Sequence, residues 1–263
     1  MSSIATDKGI LHYEAIGRGK PVIFLHGWLG SWRLWQQTMV SMESDFRSYA
    51  LDFWGFGESD RKYATYDLPD FVSLINQFMD QMGIEKAPLI GHSMGGTVSL
   101  LCGLIFKDCI SKIAIVGSPI QGSSLALPLK LAGRKNIASL LYSNIHIFRR
   151  LMKFYSPRIC SDPNFPAMMD NDITNTTLNS FLKSIASLRK TDLTAKIAEI
   201  HIPVMGMYGK NDNIVSPDQS VVLRNGIPGA TVEMFPHSGH FIMLDEPQAF
   251  SGAIRRFLNI ENP

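Results

Sequence analysis

Gly91-His92-Ser93-Met94-Gly95 sets a serine between two flanking glycines. An apolar run, Pro88-Leu89-Ile90, leads into it, and a helical run, Thr97–Phe106, leads away. At such a strand–turn–helix junction the small neighbours let strand and helix approach closely while the serine projects from the turn. Its hydroxyl then stands at a helix N-terminus, where backbone N–H groups and the helix dipole favour developing negative charge. Those are the conditions for nucleophilic acyl transfer, with Ser93 as the nucleophile. Without the flanking strand and helix, the same five residues read as an ordinary glycine-rich turn. Acyl transfer also needs donors fixed in advance for the oxyanion, each contributing about 3–4 kcal/mol. The N–H of Met94, the residue after the nucleophile, is the first expected donor. His92 is expected to point elsewhere than Ser93 and to be structural.

These side chains need a scaffold, and the chain alternates short apolar runs with longer amphipathic ones. Residues 21–25, 47–51, 87–90, 112–116, 203–208 and 231–235 read as buried strands. Residues 69–82, 95–106, 218–225 and 247–258 read as helices. That alternation predicts an α/β fold, a mostly parallel central sheet flanked by helices, with an antiparallel edge around residues 9–16. From Pro119 to about Lys190 the rhythm fails. Leu140, Leu141, Ile145, Phe148, Leu151, Met152 and Tyr155, then Phe181, Leu182, Ile185 and Leu188, recur at helical spacing, punctuated by Pro157, Pro163 and Pro166. This stretch predicts an inserted helical cap, residues 119–190, between two halves of a core, residues 1–118 and 191–263.

Composition narrows the function. With 263 residues, 45% hydrophobic and 18% charged, the chain can bury a sizeable core. A net charge of +2 does not predict nucleic acid as a partner. Cys102, Cys109 and Cys160 form neither a disulfide framework nor a zinc pattern, so a reducing cytoplasm and no metal or other cofactor are expected. No signal-peptide stretch opens the chain, and no run approaches the ~20 apolar residues of a transmembrane helix.

Five motifs in order, His26-Gly27-Trp28, Asp52–Ser59, Gly91–Gly96, Gly209–Val215 and Ser238-Gly239-His240, resemble the α/β-hydrolase superfamily in its branch with a helical cap. The resemblance runs from about Val22 to Phe257. It implies His240, after the last strand, as the general base, with His237 as runner-up. It implies Asp212, after the strand 203–208, as the acid that orients the imidazole, giving the order Ser…Asp…His of this fold. Asp218 is the nearest rival but reads as a helix start, as do Asp245 and Glu246 before Pro247. By the same resemblance Trp28 supplies the second oxyanion N–H and His26 shapes that loop. Asp52–Ser59 is loop chemistry without a catalytic role.

A serine at the elbow sets the chain apart from haloalkane dehalogenases and epoxide hydrolases, which need an aspartate there. An acyl-enzyme is implied, and a small-molecule ester is the default substrate. Carbon–carbon hydrolysis of ring-fission products, cofactor-free haloperoxidase or perhydrolase chemistry, and slow-turnover ligand reception on the same fold are the alternatives. From Leu125 to Cys160 there is no acidic residue, against Lys130, Arg134, Lys135, Arg149, Arg150, Lys153 and Arg158. This stretch is either a solvated basic face of the cap or a weak membrane-surface contact.

Overall fold

The computed structural model describes residues 2–259, so the expected core limits at residues 1 and 263 lie outside the described residues. Within them, strands β1 (Ser2–Thr6), β2 (Gly9–Ile16), β3 (Lys20–Leu25), β4 (Phe46–Leu51), β5 (Ala87–His92), β6 (Ile110–Val116), β7 (Val204–Gly209) and β8 (Thr231–Phe235) form one sheet. Its order is β1-β2-β4-β3-β5-β6-β7-β8. β1 and β2 pair antiparallel, as do β2 and β4, and all later pairings are parallel. The expected strands fall within two residues of those observed.

The inner parallel strands β3, β5, β6 and β7 are mostly apolar because both faces are covered, whereas the edge strand β8 is largely open to solvent. Alternate residues divide between two cores. Ile23, Leu25, Leu89, Ile113 and Ile115 face one side, where α2 (Leu68–Gln81), α3 (Met94–Ile105) and α9 (Gln219–Gly226) pack. Val22, Phe24, Ile90, Ala114 and Val116 face the other, against α1 (Gln36–Ser41) and α11 (Pro247–Asn259). A four-residue helix, α10 (Ile242–Asp245), leads into α11.

Between β6 and β7 the chain adds no strand to the sheet. It forms α4 (Leu127–Ala132), α5 (Lys135–Ser143), α6 (Ile145–Tyr155), α7 (Phe165–Thr174) and α8 (Leu178–Lys190). Proline at position 2 of α4 and of α7 suits the first turn, where an N–H would lack a partner anyway. α8 opens on a capping box in which the Thr177 hydroxyl accepts from the Ser180 N–H at 3.1 Å. Among the described residues no helix is long and apolar enough to cross a membrane.

Candidate active site

The site is built at the carboxyl ends of the parallel strands, where an open α/β sheet leaves a crevice. Ser93 follows β5 and immediately precedes α3. Its backbone is at φ 51° and ψ −117°, one of three non-glycine positions at positive φ among the described residues, with Leu29 and Tyr66. Holding a side-chain-bearing residue there costs on the order of 1–3 kcal/mol and requires tight surroundings. They are tight: a Cβ on Gly91 would overlap the backbone of Gly95, and one on Gly95 would overlap the backbone of Leu25 and His26. Met94 is the first residue of α3, where backbone N–H groups have no intrahelical acceptor. Its side chain is fully buried in the core.

Asp212 lies in the loop after β7 and His240 in the loop after β8, both buried. The His240 Nδ1–H donates to Asp212 Oδ2 at 2.7 Å. The other carboxylate oxygen, Oδ1, accepts the backbone N–H groups of Ile214 and Val215 at 2.8 and 2.9 Å. Both oxygens are thus committed, which fixes the carboxylate and leaves Nε2 of His240 with the lone pair a general base needs. Gly117, at positive φ, passes close enough that a Cβ would press on both His240 and Asp212. The rivals stand apart from this pair. His237 is exposed, its N–H donating to Glu246, and Asp218 is exposed at the start of α9, accepting from Ser216.

Ser93 and His240 line one cavity with Gly27, Trp28 and Phe241. Asp212 supports that cavity through His240 and does not line it, and Met94 is likewise set behind the surface. The Trp28 side chain is half-buried, and its indole N–H donates to the Phe181 carbonyl of α8 at 3.0 Å. Full burial lowers the pKa of His26 despite the nearby Asp52. Its Nδ1–H donates to the Gly27 carbonyl at 2.7 Å and its Nε2 accepts from Phe53 N–H at 3.0 Å. His26 therefore ties the Trp28 loop to the Asp52–Ser59 loop. Asp52 organises that loop in turn, accepting from the N–H groups of Trp32 and Glu58 and from His12. His92 is also buried, and burial first, then its histidine neighbours, holds its pKa well below the usual value. Its Nε2–H donates to the His240 carbonyl at 3.1 Å, a contact that braces His240.

The opposite wall comes from the segment between β6 and β7: Leu129, Met152, Ile159, Phe165, Met168 and Met169, with one ionisable group, Asp172 of α7. The Asp172 carboxyl is buried and accepts from the Ser31 hydroxyl at 2.8 Å. Burial pushes its pKa up to about 7, helped by Asp52 and opposed by the Ser31 hydrogen bond, the Arg33 charge and Asn171. No lysine or arginine lines the cavity among the described residues. Among those residues no group of three or more His, Cys, Asp or Glu side chains is placed to hold a metal ion.

Sequence reasoning missed Asp172, since an aspartate in a helical run reads as an exposed position until its neighbours are known. It also took Asp245 and Glu246 for helix-start charges alone. Asp245 Oδ2 accepts Gly239 N–H at 3.0 Å and Glu246 Oε1 accepts the Ser238 hydroxyl at 2.6 Å, so both brace the loop that carries His240.

A family model described as the alpha/beta hydrolase fold matches residues 20–247. The chain is 26% identical over 261 residues to a 2-hydroxy-6-oxononadienedioate/2-hydroxy-6-oxononatrienedioate hydrolase of Escherichia coli, across 94% of this chain and 90% of that protein. Its fold matches that of a hydrolase from Pseudomonas aeruginosa with a TM-score of 0.86 at 21% identity, over 98% of each chain. It likewise matches an esterase from Exiguobacterium antarcticum, with a TM-score of 0.84 at 24% identity, over 98% of each chain.

Proposed function

Because this chain belongs to the alpha/beta hydrolase fold family, we propose that it is a serine hydrolase acting on small or medium-sized apolar carboxylic esters. The observation that carries the reading is a single apolar cavity onto which Ser93 and His240 both open, with Asp212 locked behind the histidine. Ser93 Oγ attacks the ester carbonyl while His240 Nε2 takes its proton. The N–H groups of Met94 and Trp28 receive the oxyanion. Collapse expels the alcohol, which takes the proton from His240, and leaves an acyl group on Ser93. A water molecule then gives a proton to His240 and attacks the acyl carbon, and the acid departs as Ser93 recovers its proton. Asp212 stays ionised throughout, holding the tautomer and stabilising the imidazolium. Residues 119–190 act as the cap that supplies the apolar wall. The free thiols of Cys102, Cys109 and Cys160 support a reducing, cytoplasmic compartment.

The Escherichia coli relative favours a second reading, carbon–carbon hydrolysis, and its name specifies a dioate. The cavity speaks against that substrate class here. A dioate would bring two carboxylates into an apolar space with no lysine or arginine among its described lining residues to pair them, and burying an unpaired charge is strongly unfavourable. Asp172, once ionised, would add repulsion.

The test is a chain-length series of p-nitrophenyl esters run beside a ring-fission dioate. Multiple turnover on neutral esters, with labelling of Ser93 by a fluorophosphonate, is the expected result. Faster turnover of the dioate would replace the ester reading. A single slow burst on every ester would favour a receptor.

A further inference from the structure

The structure leaves an apolar face uncovered on the helices that wall the cavity. α6 shows why. At about 100° per residue, its apolar side chains spread over roughly half the circumference of the helix. Packing covers only part of that arc. Ile145, Phe148 and Met152 lie inward against Phe165, Met169 and Ile173, and Met152 reaches the cavity. Ile147, Leu151 and Phe154, spaced as i, i+4 and i+7, form a second stripe facing solvent, 60%, 50% and 64% exposed. Tyr155 beside them is exposed, as are Leu140 on α5, which packs against α6, and Leu127 on α4. Half of the large hydrophobic side chains exposed on the described protein fall in this one stretch of chain.

Charge says what such a face can meet. Residues 125–160 carry seven lysines and arginines and no acid. Arg149 is engaged, donating to Asp170 at 2.7 Å, but Arg134, Lys135, Arg150, Lys153 and Arg158 are exposed. The Arg158 guanidinium lies over Phe154 and Tyr155, 5.6 and 5.7 Å from the ring centroids. A long basic side chain resting on an exposed aromatic ring suits a boundary between apolar and charged layers. A second copy of the chain does not fit, because a two-fold contact would set this basic face against itself.

We infer that the exposed face of α5 and α6 docks the protein on an anionic lipid surface. The apolar stripe enters the acyl boundary while the basic residues meet the headgroups, and the inner side of α6 walls the cavity. The bilayer is then also the reservoir from which a lipophilic ester reaches Ser93.

Co-sedimentation of the full chain with phosphatidylcholine vesicles, with and without phosphatidylserine, tests this at low and high salt. Binding is expected only to the anionic vesicles and is expected to fall as salt screens the charges. Each basic group removed should weaken binding by about fivefold, so Arg150→Gln with Lys153→Gln should cost roughly 25-fold. Leu151→Ser with Phe154→Ser should lose vesicle binding while keeping hydrolysis of a soluble p-nitrophenyl ester, since neither side chain lines the cavity. Ser93→Ala should sediment as the native chain does, so the docking reading stands or falls apart from the catalytic one. No binding to anionic vesicles at low salt, binding indifferent to headgroup charge, or binding unchanged in both double variants would overturn it. Capture by polyglutamate with none by vesicles would overturn it equally and point to an acidic polypeptide.

Discussion

Asp212 and Asp172 are both buried carboxyl groups near the cavity, and their surroundings give them opposite roles. Asp212 accepts three hydrogen bonds, all from N–H donors, which fixes its carboxylate beside His240. Asp212→Asn should therefore preserve the fold but favour the wrong histidine tautomer, lowering kcat by roughly 10⁴. Ser93→Ala should lower it by about 10⁶. Retention of full esterase activity by Ser93→Ala would end the serine hydrolase reading. Asp172 is buried against the apolar wall with the Ser31 hydroxyl as a donor, and burial outweighs its polar neighbours, so its folded pKa, about 7, stands above the ordinary 3.8 of an aspartate. A carboxyl raised on folding contributes fully to stability below its unfolded pKa and loses that contribution as pH rises through the folded one. Between about pH 4 and pH 7 the native protein should lose a few kcal/mol relative to Asp172→Asn, on the order of 4 at most. Denaturant midpoints of the two proteins across that range measure the difference. As pH rises through about 7, where the folded group ionises, KM for an ester bearing a carboxylate should rise in the native enzyme and stay level in Asp172→Asn, while KM for a neutral ester stays level in both. Parallel pH profiles for the two proteins would remove Asp172 from substrate selection.

At the scale of elements, most of the architecture was legible because the inner strands are buried on both faces and the flanking helices on one. A strand such as β7, residues 204–209, then announces itself as a short apolar run, and α11 as a periodic one. The strand–turn–helix junction at Ser93 was legible for a related reason: its glycines answer to close backbone contacts that leave no room for a Cβ. What could not be read was which way a side chain turns inside the segment between β6 and β7. Asp172 and Asp170 sit two positions apart on α7, yet one reaches the cavity and the other pairs with Arg149 at the surface. Nothing in local spacing separates them, because the deciding partners, Ser31 and Arg149, come from distant parts of the chain. The elbow allows a direct test of the close-approach argument. A methyl group on Gly95 must push α3 away from the end of β3, at a cost of about 1–3 kcal/mol for overpacking. Since α3 also carries the Met94 N–H, Gly95→Ala should lower kcat more than it raises KM. Native-like stability and kinetics in that variant would mean the junction is looser than its packing indicates.

Across the whole molecule, charge is unevenly shared. Seven of the 25 basic residues lie in 125–160, leaving 18 against all 23 acidic residues elsewhere. The longer segment between β6 and β7 that includes this basic stretch has several polar links to the rest of the protein, three of them ending near the cavity. Trp28 donates to Phe181, Ser31 to Asp172, and Ser161 to Asp245. The last is the most consequential, because Asp245 works in two directions. Oδ1 accepts both the N–H and the hydroxyl of Ser161 at 2.8 Å, and Oδ2 accepts the Gly239 N–H, next to His240, at 3.0 Å. One carboxylate thus joins the segment of the cavity's outer wall to the loop that carries His240. Asp245→Ala leaves two backbone donors without their acceptor, at about 1–3 kcal/mol. It should also free the His240 loop, so kcat should fall while fluorophosphonate labelling of Ser93 slows in step. Asp170→Ala is the control: it breaks an ion pair that is only partly shielded from water, inside the same segment. That change should cost less than about 1 kcal/mol and leave kcat alone. Amide exchange at Gly239 and Ser161 should rise together in Asp245→Ala and stay native in Asp170→Ala. If the two variants behave alike in activity and exchange, the wall and the base are not coupled through Asp245.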